Sequence, residues 1–190
     1  NSFNILKNIM NNDNAVRIIS FDKNYGQTAA LYAGFKNSNG EIILTIDGDL
    51  QYDPKDLLRI IKELENNDVD MVLGRRITRA SGLIRSFSAK IADFVRNVIL
   101  DENYQDCALA GYRRRCFSNF KLYEGLQCFI PALLRLEGHN YKEIGVNEFP
   151  RMHGKSKYNN IIKRLFQGLF ALFVVKWMKT NKLDYKIVEA

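Results

Sequence analysis

The stretch that most constrains this chain is Glu41-Ile42-Ile43-Leu44-Thr45-Ile46-Asp47-Gly48-Asp49-Leu50-Gln51. It starts as a nearly continuous apolar run, the pattern of a strand buried on both faces. It ends in two carboxylates one residue apart, and Pro54 then opens a helix-like segment. In open α/β sheets, ligands collect where strands end and loops begin. Two acids at such an end repel unless a cation or water shares their charge. Gly48 between them leaves room for a close ligand and permits unusual backbone angles. Hard carboxylate oxygens suit Mg²⁺ or Mn²⁺, metals often shared with substrate phosphates. The expectation is a metal–diphosphate site. The competing reading is a solvated acidic turn, against which the buried strand ahead and Gln51 behind both count.

The 190 residues fit one domain with a single sizeable core. The formal net charge of +7 suits an anionic partner, whether a phosphate-bearing substrate, an anionic membrane surface or nucleic acid. Cys107, Cys116 and Cys128 cannot all pair and show no C-x-x-C spacing, so free thiols in a reducing cytosol are expected. Cys116 and Cys128 read as small apolar fillers. Asn1–Met10 lacks the basic start and long apolar core of a leader. Phe3, Ile5, Leu6, Ile9 and Met10 instead recur at helical spacing. An α/β domain normally starts with a strand, so an N-terminal strand is expected to be missing from this chain.

Strand and helix signals then alternate. Val16–Phe21 reads as a strand, and Asp22–Gly26 as a loop. Gln27–Asn37 reads as a helix with a small-residue face at Ala29, Ala30, Ala33 and Gly34. After the acidic turn, Asp53 can cap a helix with Pro54 in its first position. Leu57, Leu58, Ile61 and Leu64 are its expected buried face. Val69–Leu73 is a short strand closing on Gly74-Arg75-Arg76, and Ile77–Gly82 is a basic loop. Leu83–Leu100 reads as an amphipathic helix, Ala108–Tyr112 as a strand, Glu124–Leu136 as a helix despite Pro131, and Tyr141–Phe149 as a strand. This order predicts an α/β fold with a largely parallel sheet flanked by helices.

Two basic clusters accompany the acids. Arg75 and Arg76 at a strand end suit forked hydrogen bonds to phosphate, or a solvated loop. Arg151-Met152-His153-Gly154-Lys155-Ser156-Lys157-Tyr158 interleaves cations, a glycine and a hydroxyl just before a helix, whose start favours anions. It lacks the leading glycine and spacing of a Walker A loop. Arg113-Arg114-Arg115 cannot all face one site and reads mainly as surface. His153 reads as a polar loop residue and His139 as structural. Ile161–Met178 is too short and too interrupted by Lys163, Arg164, Gln167 and Lys176 to span a membrane. It reads either as a core or partner-facing helix or as an amphipathic helix in a membrane surface.

In order along the chain, Asn24-Tyr25-Gly26, Ala29-Ala30, Gly34-Phe35, Gly40-Glu41, Asp47-Gly48-Asp49-Leu50-Gln51, Gly74-Arg75-Arg76, and Arg151 with Gly154-Lys155-Ser156-Lys157-Tyr158 form a series. The series resembles family 2 glycosyltransferases of the dolichyl-phosphate mannosyltransferase and bactoprenyl-phosphate glucosyltransferase type. The combination is specific, whereas no single piece is.

The resemblance, which runs to about Tyr158, implies a GT-A, Rossmann-like domain over residues 1–158, and residues 159–190 are expected to form a C-terminal amphipathic helix and tail. It implies a UDP- or GDP-sugar donor, Mg²⁺ or Mn²⁺, and a polyprenyl phosphate acceptor, with no role for nucleic acid. Asp47, Asp49 and Gln51 would hold or flank the metal, and Asn24, Gly26, Asp47 and Gln51 the donor. Asp49, Arg75 and Arg151 would serve the chemistry. Arg76, Arg151, Lys155, Ser156 and Lys157 would hold the acceptor phosphate. The protein would be cytoplasmic and peripheral at the cytoplasmic membrane face, with a second copy or a membrane protein as a compatible partner.

Three departures stand out. The family's first strand with its Asp-Asp-Gly-Ser turn is absent. Asp106-Cys107-Ala108 stands in place of a longer Asp-x-Gly-Cys-type stretch. Lys179–Ala190 is polar where many relatives carry membrane helices. Two rivals are a related transferase acting on a sugar hydroxyl, which needs a carboxylate base, and a non-catalytic module binding anionic membranes or nucleic acid. The first is weakened because no second acid motif is evident after Arg76. The second has no use for Asp47 and Asp49.

Overall fold

In the computed structural model, residues 2–78, 95, 97–101, 104, 108–150 and 161–183 are described. Helix α1 (Ser2–Asn12) opens the chain and α2 (Gly26–Asn37) follows. Strand β1 (Ile42–Thr45), helix α3 (Lys55–Asn66) and strand β2 (Met71–Thr78) form the next unit. Strand β3 (Ala110–Arg113), helix α4 (Ile130–Leu136), strand β4 (Tyr141–Asn147) and helix α5 (Ile161–Thr180) complete the order.

The four strands form one sheet in the order β1-β3-β2-β4. β3 pairs antiparallel with both β1 and β2, while β2 and β4 pair in parallel. β1, β2 and β4 therefore run the same way, and their carboxyl ends share one edge of the sheet. The α/β class with flanking helices holds. The departure from a largely parallel sheet is β3, which runs back between β1 and β2.

Strand alternation divides the core into two layers. Met71, Leu73, Ala110 and Tyr112 face one side, where Phe35 of α2, Leu134 of α4, and Leu172 and Val175 of α5 cover them. Val72, Ile144 and Val146 face the other side and pack with Ile60 and Leu64 of α3 and with Tyr52. Gly111 lets α3 close on the sheet. A Cβ there would lie 2.3 Å from Ile60 Cγ2 and 3.0 Å from Leu44 Cδ2. α3 starts one residue later than expected, with Pro54 at the cap and Lys55 first in the helix, while Asp53 Oδ1 accepts from the Lys55 N–H at 2.9 Å. The inward face differs from expectation: Ile60 is fully buried, while Leu58 is exposed. The helix therefore sits turned towards Asp56-Ile60-Leu64, three positions at helical spacing.

Four other expectations need correction. Val16–Phe21 forms no strand. Ile19 and Phe21 are exposed, and Arg17 Nη1 donates to the Asn37 carbonyl at the end of α2 instead. Gly74, Arg75 and Arg76 lie inside β2, opposite Ile144, Gly145 and Val146 of β4, because that strand extends well past Leu73. Ile77 and Thr78 belong to it too, against the expectation of a loop from Ile77. The 124–136 segment turns through 3₁₀ geometry at Gln127–Phe129 before α4 begins with Pro131 in its first turn, where a missing N–H costs little. The basic loop beyond Thr78, most of the 83–100 helix and the Arg151–Tyr158 loop lie outside the described residues.

Candidate active site

The acidic turn leaves the carboxyl end of β1, whose Thr45 hydroxyl donates to the Ala108 carbonyl at 3.1 Å. Asp47 is exposed and Asp49 is half-buried. The Gln51 N–H donates to Asp49 Oδ1 at 3.2 Å, which fixes that carboxylate against the turn. The backbone position that needs special geometry is Leu50, with φ +61°, and not Gly48. A leucine in the left-handed region is uncommon and carries a cost.

Gln51 ties this turn to the segment leaving β4. The Phe149 N–H donates to the Gln51 carbonyl at 2.8 Å, and Gln51 Nε2 donates to the Phe149 carbonyl at 3.4 Å. Arg151 follows two residues further along the sequence. Arg151, Lys155, Ser156 and Lys157 themselves lie outside the described residues.

Arg75 and Arg76 alternate on β2, Arg75 exposed and Arg76 half-buried. Arg76 Nη1 stands 4.0 Å from Glu148 Oε1, and both side chains are largely covered. Glu148 escaped the sequence reading. Its one available signal was a lone acid at the end of an alternating strand, directly before Phe149-Pro150-Arg151.

Asn24 and Gly26 sit at the start of α2. The Gly26 N–H donates to Asn24 Oδ1 at 2.8 Å, and Gly26 has φ +86°, which glycine adopts without a Cβ clash. α2 runs back to feed β1 through a short link, so its N-terminus points towards the carboxyl edge of the sheet, as an anion site on such a fold requires. Thr28 anchors this end, its hydroxyl donating to Gln127 Oε1 at 2.6 Å.

A different cluster occupies the opposite edge. Asp70, Cys116 and His139 bring potential ligand atoms within 4.8 Å of one another. Asp70 Oδ1 already accepts from Arg115 Nε at 2.6 Å, and its Oδ2 from the Asn140 N–H at 3.1 Å. Burial alone would raise the Asp70 pKa, but the Arg115 hydrogen bond, the Asn140 N–H and the nearby Arg115 and His139 charges hold it below the usual range. Burial pushes the Cys116 thiol up to about 12, which keeps it protonated. Cations and N–H donors thus already serve the carboxylate, and the cluster braces the fold. The arginine run does the same. Arg113 Nη2 donates to the Leu64 carbonyl at 2.6 Å and Arg114 Nη2 to the Ser38 carbonyl at 2.6 Å, satisfying carbonyls near the ends of α3 and α2. Arg114 and Arg115 are exposed, as expected of this run, and still act as anchors through these bonds and the Asp70 pair.

Residues 1–164 match the Glycosyl transferase family 2 family, and the chain belongs to it. It is 35% identical over 173 residues to a dodecaprenyl-phosphate galacturonate synthase of Rhizobium johnstonii, covering 88% of this chain and 51% of that protein. It is 33% identical over 149 residues to an undecaprenyl-phosphate 4-deoxy-4-formamido-L-arabinose transferase of Photorhabdus laumondii, covering 77% of this chain and 46% of the relative. The chain spans about half the length of these relatives. In fold it resembles glucosyl-3-phosphoglycerate synthase from Mycobacterium tuberculosis in complex with Mg²⁺ and UDP, with a TM-score of 0.62 at 15% identity over 83% of this chain and 57% of that one. A structure of that enzyme with Mn²⁺ and UDP-glucose gives 0.57 at 11% identity, over 82% and 56%.

Proposed function

We propose that the protein is a metal-dependent, inverting glycosyltransferase that moves a sugar from a nucleotide-sugar to a polyprenyl phosphate at the cytoplasmic face of a membrane. The observation that carries this reading is the Gln51–Phe149 clasp, which holds the Asp47–Gln51 turn against the chain entering the Arg151 loop. The acid turn and the end of β4, from which the sequence runs on to Arg151, thereby share one edge of the sheet, which supports the reading. The names of the relatives support the acceptor class.

Asp47 and Asp49 offer hard oxygen donors at a strand end, a set that fits Mg²⁺ or Mn²⁺ with Gln51 beside it. When bound, such a metal stabilises the charge that grows on a departing nucleoside diphosphate. Gln51 keeps Asp49 oriented through its N–H. The start of α2, with Asn24 and Gly26, offers the donor phosphates backbone N–H groups and a favourable dipole end. Arg75 adds positive charge on the exposed face of β2.

A lipid phosphate is already ionised at neutral pH, so it needs positioning by Arg151, Lys155, Ser156 and Lys157, with Arg76 nearby, and no general base. Attack by one phosphate oxygen opposite the leaving diphosphate inverts the anomeric centre. The rival reading, transfer to a sugar hydroxyl, needs a carboxylate base, and Glu148 is a carboxylate at this edge. Its pairing with Arg76 favours a positioning role. Thermal shift of the full-length protein against UDP- and GDP-sugars, with and without Mn²⁺, tests the donor half. Stabilisation by one nucleotide class only when metal is present is expected, and equal stabilisation in EDTA contradicts the reading.

A further inference from the structure

Leu50 combines two features that rarely occur together. Its backbone is left-handed, with φ +61°, and its side chain is 56% exposed. Left-handed geometry costs an ordinary side chain stability that glycine or asparagine largely avoids. Burial can offset such a cost, but this leucine buries little. A leucine kept here serves neither the turn nor the core. Strain of this kind beside Asp49 and Gln51 is the mark of a contact made with a ligand.

The turn also gives Leu50 apolar company. It carries the chain from β1, at one end of the sheet, along the carboxyl edge to β4 at the other, where Gln51 and Phe149 exchange hydrogen bonds. Tyr52 then enters the layer that holds Ile144 and Val146 of β4. Leu50 thus stands at the β4 end of the turn, while α2 covers the opposite face of the sheet. Phe149, across the clasp, is 46% exposed, and Ile46, where the turn begins, is 39% exposed. Exposed hydrocarbon therefore accompanies the carboxylates of Asp47 and Asp49.

We infer that Leu50 and Phe149 form an apolar lip that receives the first isoprene unit of the acceptor, the hydrocarbon bonded directly to its phosphate. The inference rests on the proposed function and assigns the part of the acceptor that cations cannot read. Chemistry selects this occupant. A polyprenyl phosphate carries hydrocarbon one ester oxygen from phosphorus, so a phosphate held close to the acid turn brings apolar surface with it. The diphosphate of a nucleotide-sugar is instead flanked on both sides by sugars, whose hydroxyls gain nothing from a leucine. Arginine and lysine attract any phosphate, whereas a lip that is buried only by hydrocarbon separates a lipid phosphate from a free one or a sugar phosphate. Covering the exposed part of Leu50 is enough for a preference of about tenfold.

The test titrates geranyl phosphate and inorganic phosphate into the full-length protein with Mg²⁺, reading affinity by calorimetry. The wild type should bind geranyl phosphate at least about tenfold more tightly than inorganic phosphate. Leu50→Asn, whose side chain suits left-handed backbone, should lose most of that preference. Its affinity for inorganic phosphate should stay the same, and its melting temperature should equal or exceed that of the wild type. Leu50→Gly should repeat this result with no side chain at all. Phe149→Ser keeps the main-chain half of the clasp and should weaken geranyl phosphate alone. A variant that is no less stable yet loses the lipid preference is an outcome that a purely structural leucine does not give. A preference retained in Leu50→Asn and Leu50→Gly overturns the lip and leaves the proposed acceptor class standing. An equal loss for both probes overturns it too, since the leucine then only shapes the turn. Weakened UDP- or GDP-sugar binding in these variants, with geranyl phosphate unaffected, assigns Leu50 to the donor instead. No preference in the wild type overturns the lip and counts against the acceptor class as well.

Discussion

Gln51 and Phe149 hold each other in both directions, Phe149 N–H to Gln51 carbonyl at 2.8 Å and Gln51 Nε2 to Phe149 carbonyl at 3.4 Å. The first bond is main chain only and survives substitution. Gln51→Ala should therefore leave the fold nearly intact, at a cost of about 0.5–1.5 kcal/mol. It should lower transfer by about tenfold or more, because the acid turn loses the side-chain half of its tether and, on the proposed reading, an amide beside the metal. Steady-state kinetics of the full-length variant, with thermal melts alongside, check this. Wild-type kinetics would remove Gln51 from the site.

Leu50 occupies the left-handed region at φ +61° and is exposed, so its side chain contributes little packing. Leu50→Gly should be neutral or stabilising by up to about 1 kcal/mol, whereas Leu50→Val should destabilise by about 1–2 kcal/mol. Urea titration of both variants gives the comparison. A clear loss of stability in Leu50→Gly would show that the turn is held by the leucine side chain.

Gly111 lies where α3 approaches the sheet most closely, with space for no Cβ beside Ile60. Gly111→Ala should cost about 1–3 kcal/mol through forced displacement of α3. Pairing it with Ile60→Val, which trims the clashing methyl, should recover part of that loss. Additive losses in the double variant would contradict the packing account.

Asp70 is held with a depressed pKa by its partners at the amino edge of the sheet. Its folded pKa lies below its unfolded value, so the folded state binds its proton less readily. The stabilisation is present in full above the unfolded carboxylate value, near pH 4, and is lost as pH falls through the folded one. Asp70→Asn should cost about 1–3 kcal/mol at neutral pH and flatten the acid limb of the stability curve. Because this cluster is remote from the acid turn, metal-dependent donor binding should persist in that variant wherever it stays folded.

How far the sequence could be read depends on whether each signal was local. β1 and the turn after it were legible as an apolar run that ends abruptly in charge, but β1 is not buried on both faces: it ends the described sheet, with Ile43 buried and Ile46 exposed. The helices α1, α2 and α5 were legible from helical spacing. Val16–Phe21 misled because an apolar run signals burial or pairing without naming a partner strand. Arg75 and Arg76 looked like a strand end because they are charged. The parallel pairing with Ile144–Val146 that keeps them in β2 is a long-range fact. Arg114 and Arg115 are exposed, as the sequence suggests, but the anchoring bonds that Arg113 and Arg114 make could not be read from it. The carbonyls they satisfy lie more than forty residues away in sequence for Arg113 and more than seventy for Arg114. Glu148 gained meaning only when β4 was laid beside β2.

The most direct test of the central claim is transfer of labelled sugar from a panel of UDP- and GDP-sugars to undecaprenyl phosphate by the full-length protein, wild type against Asp49→Asn, with Mn²⁺ or with EDTA. The account expects a glycolipid product from one donor class, dependent on metal, and reduced by about 100-fold or more in Asp49→Asn while the variant melts like the wild type. Equal product in EDTA, undiminished product in Asp49→Asn, or no lipid-linked product from any donor would contradict it.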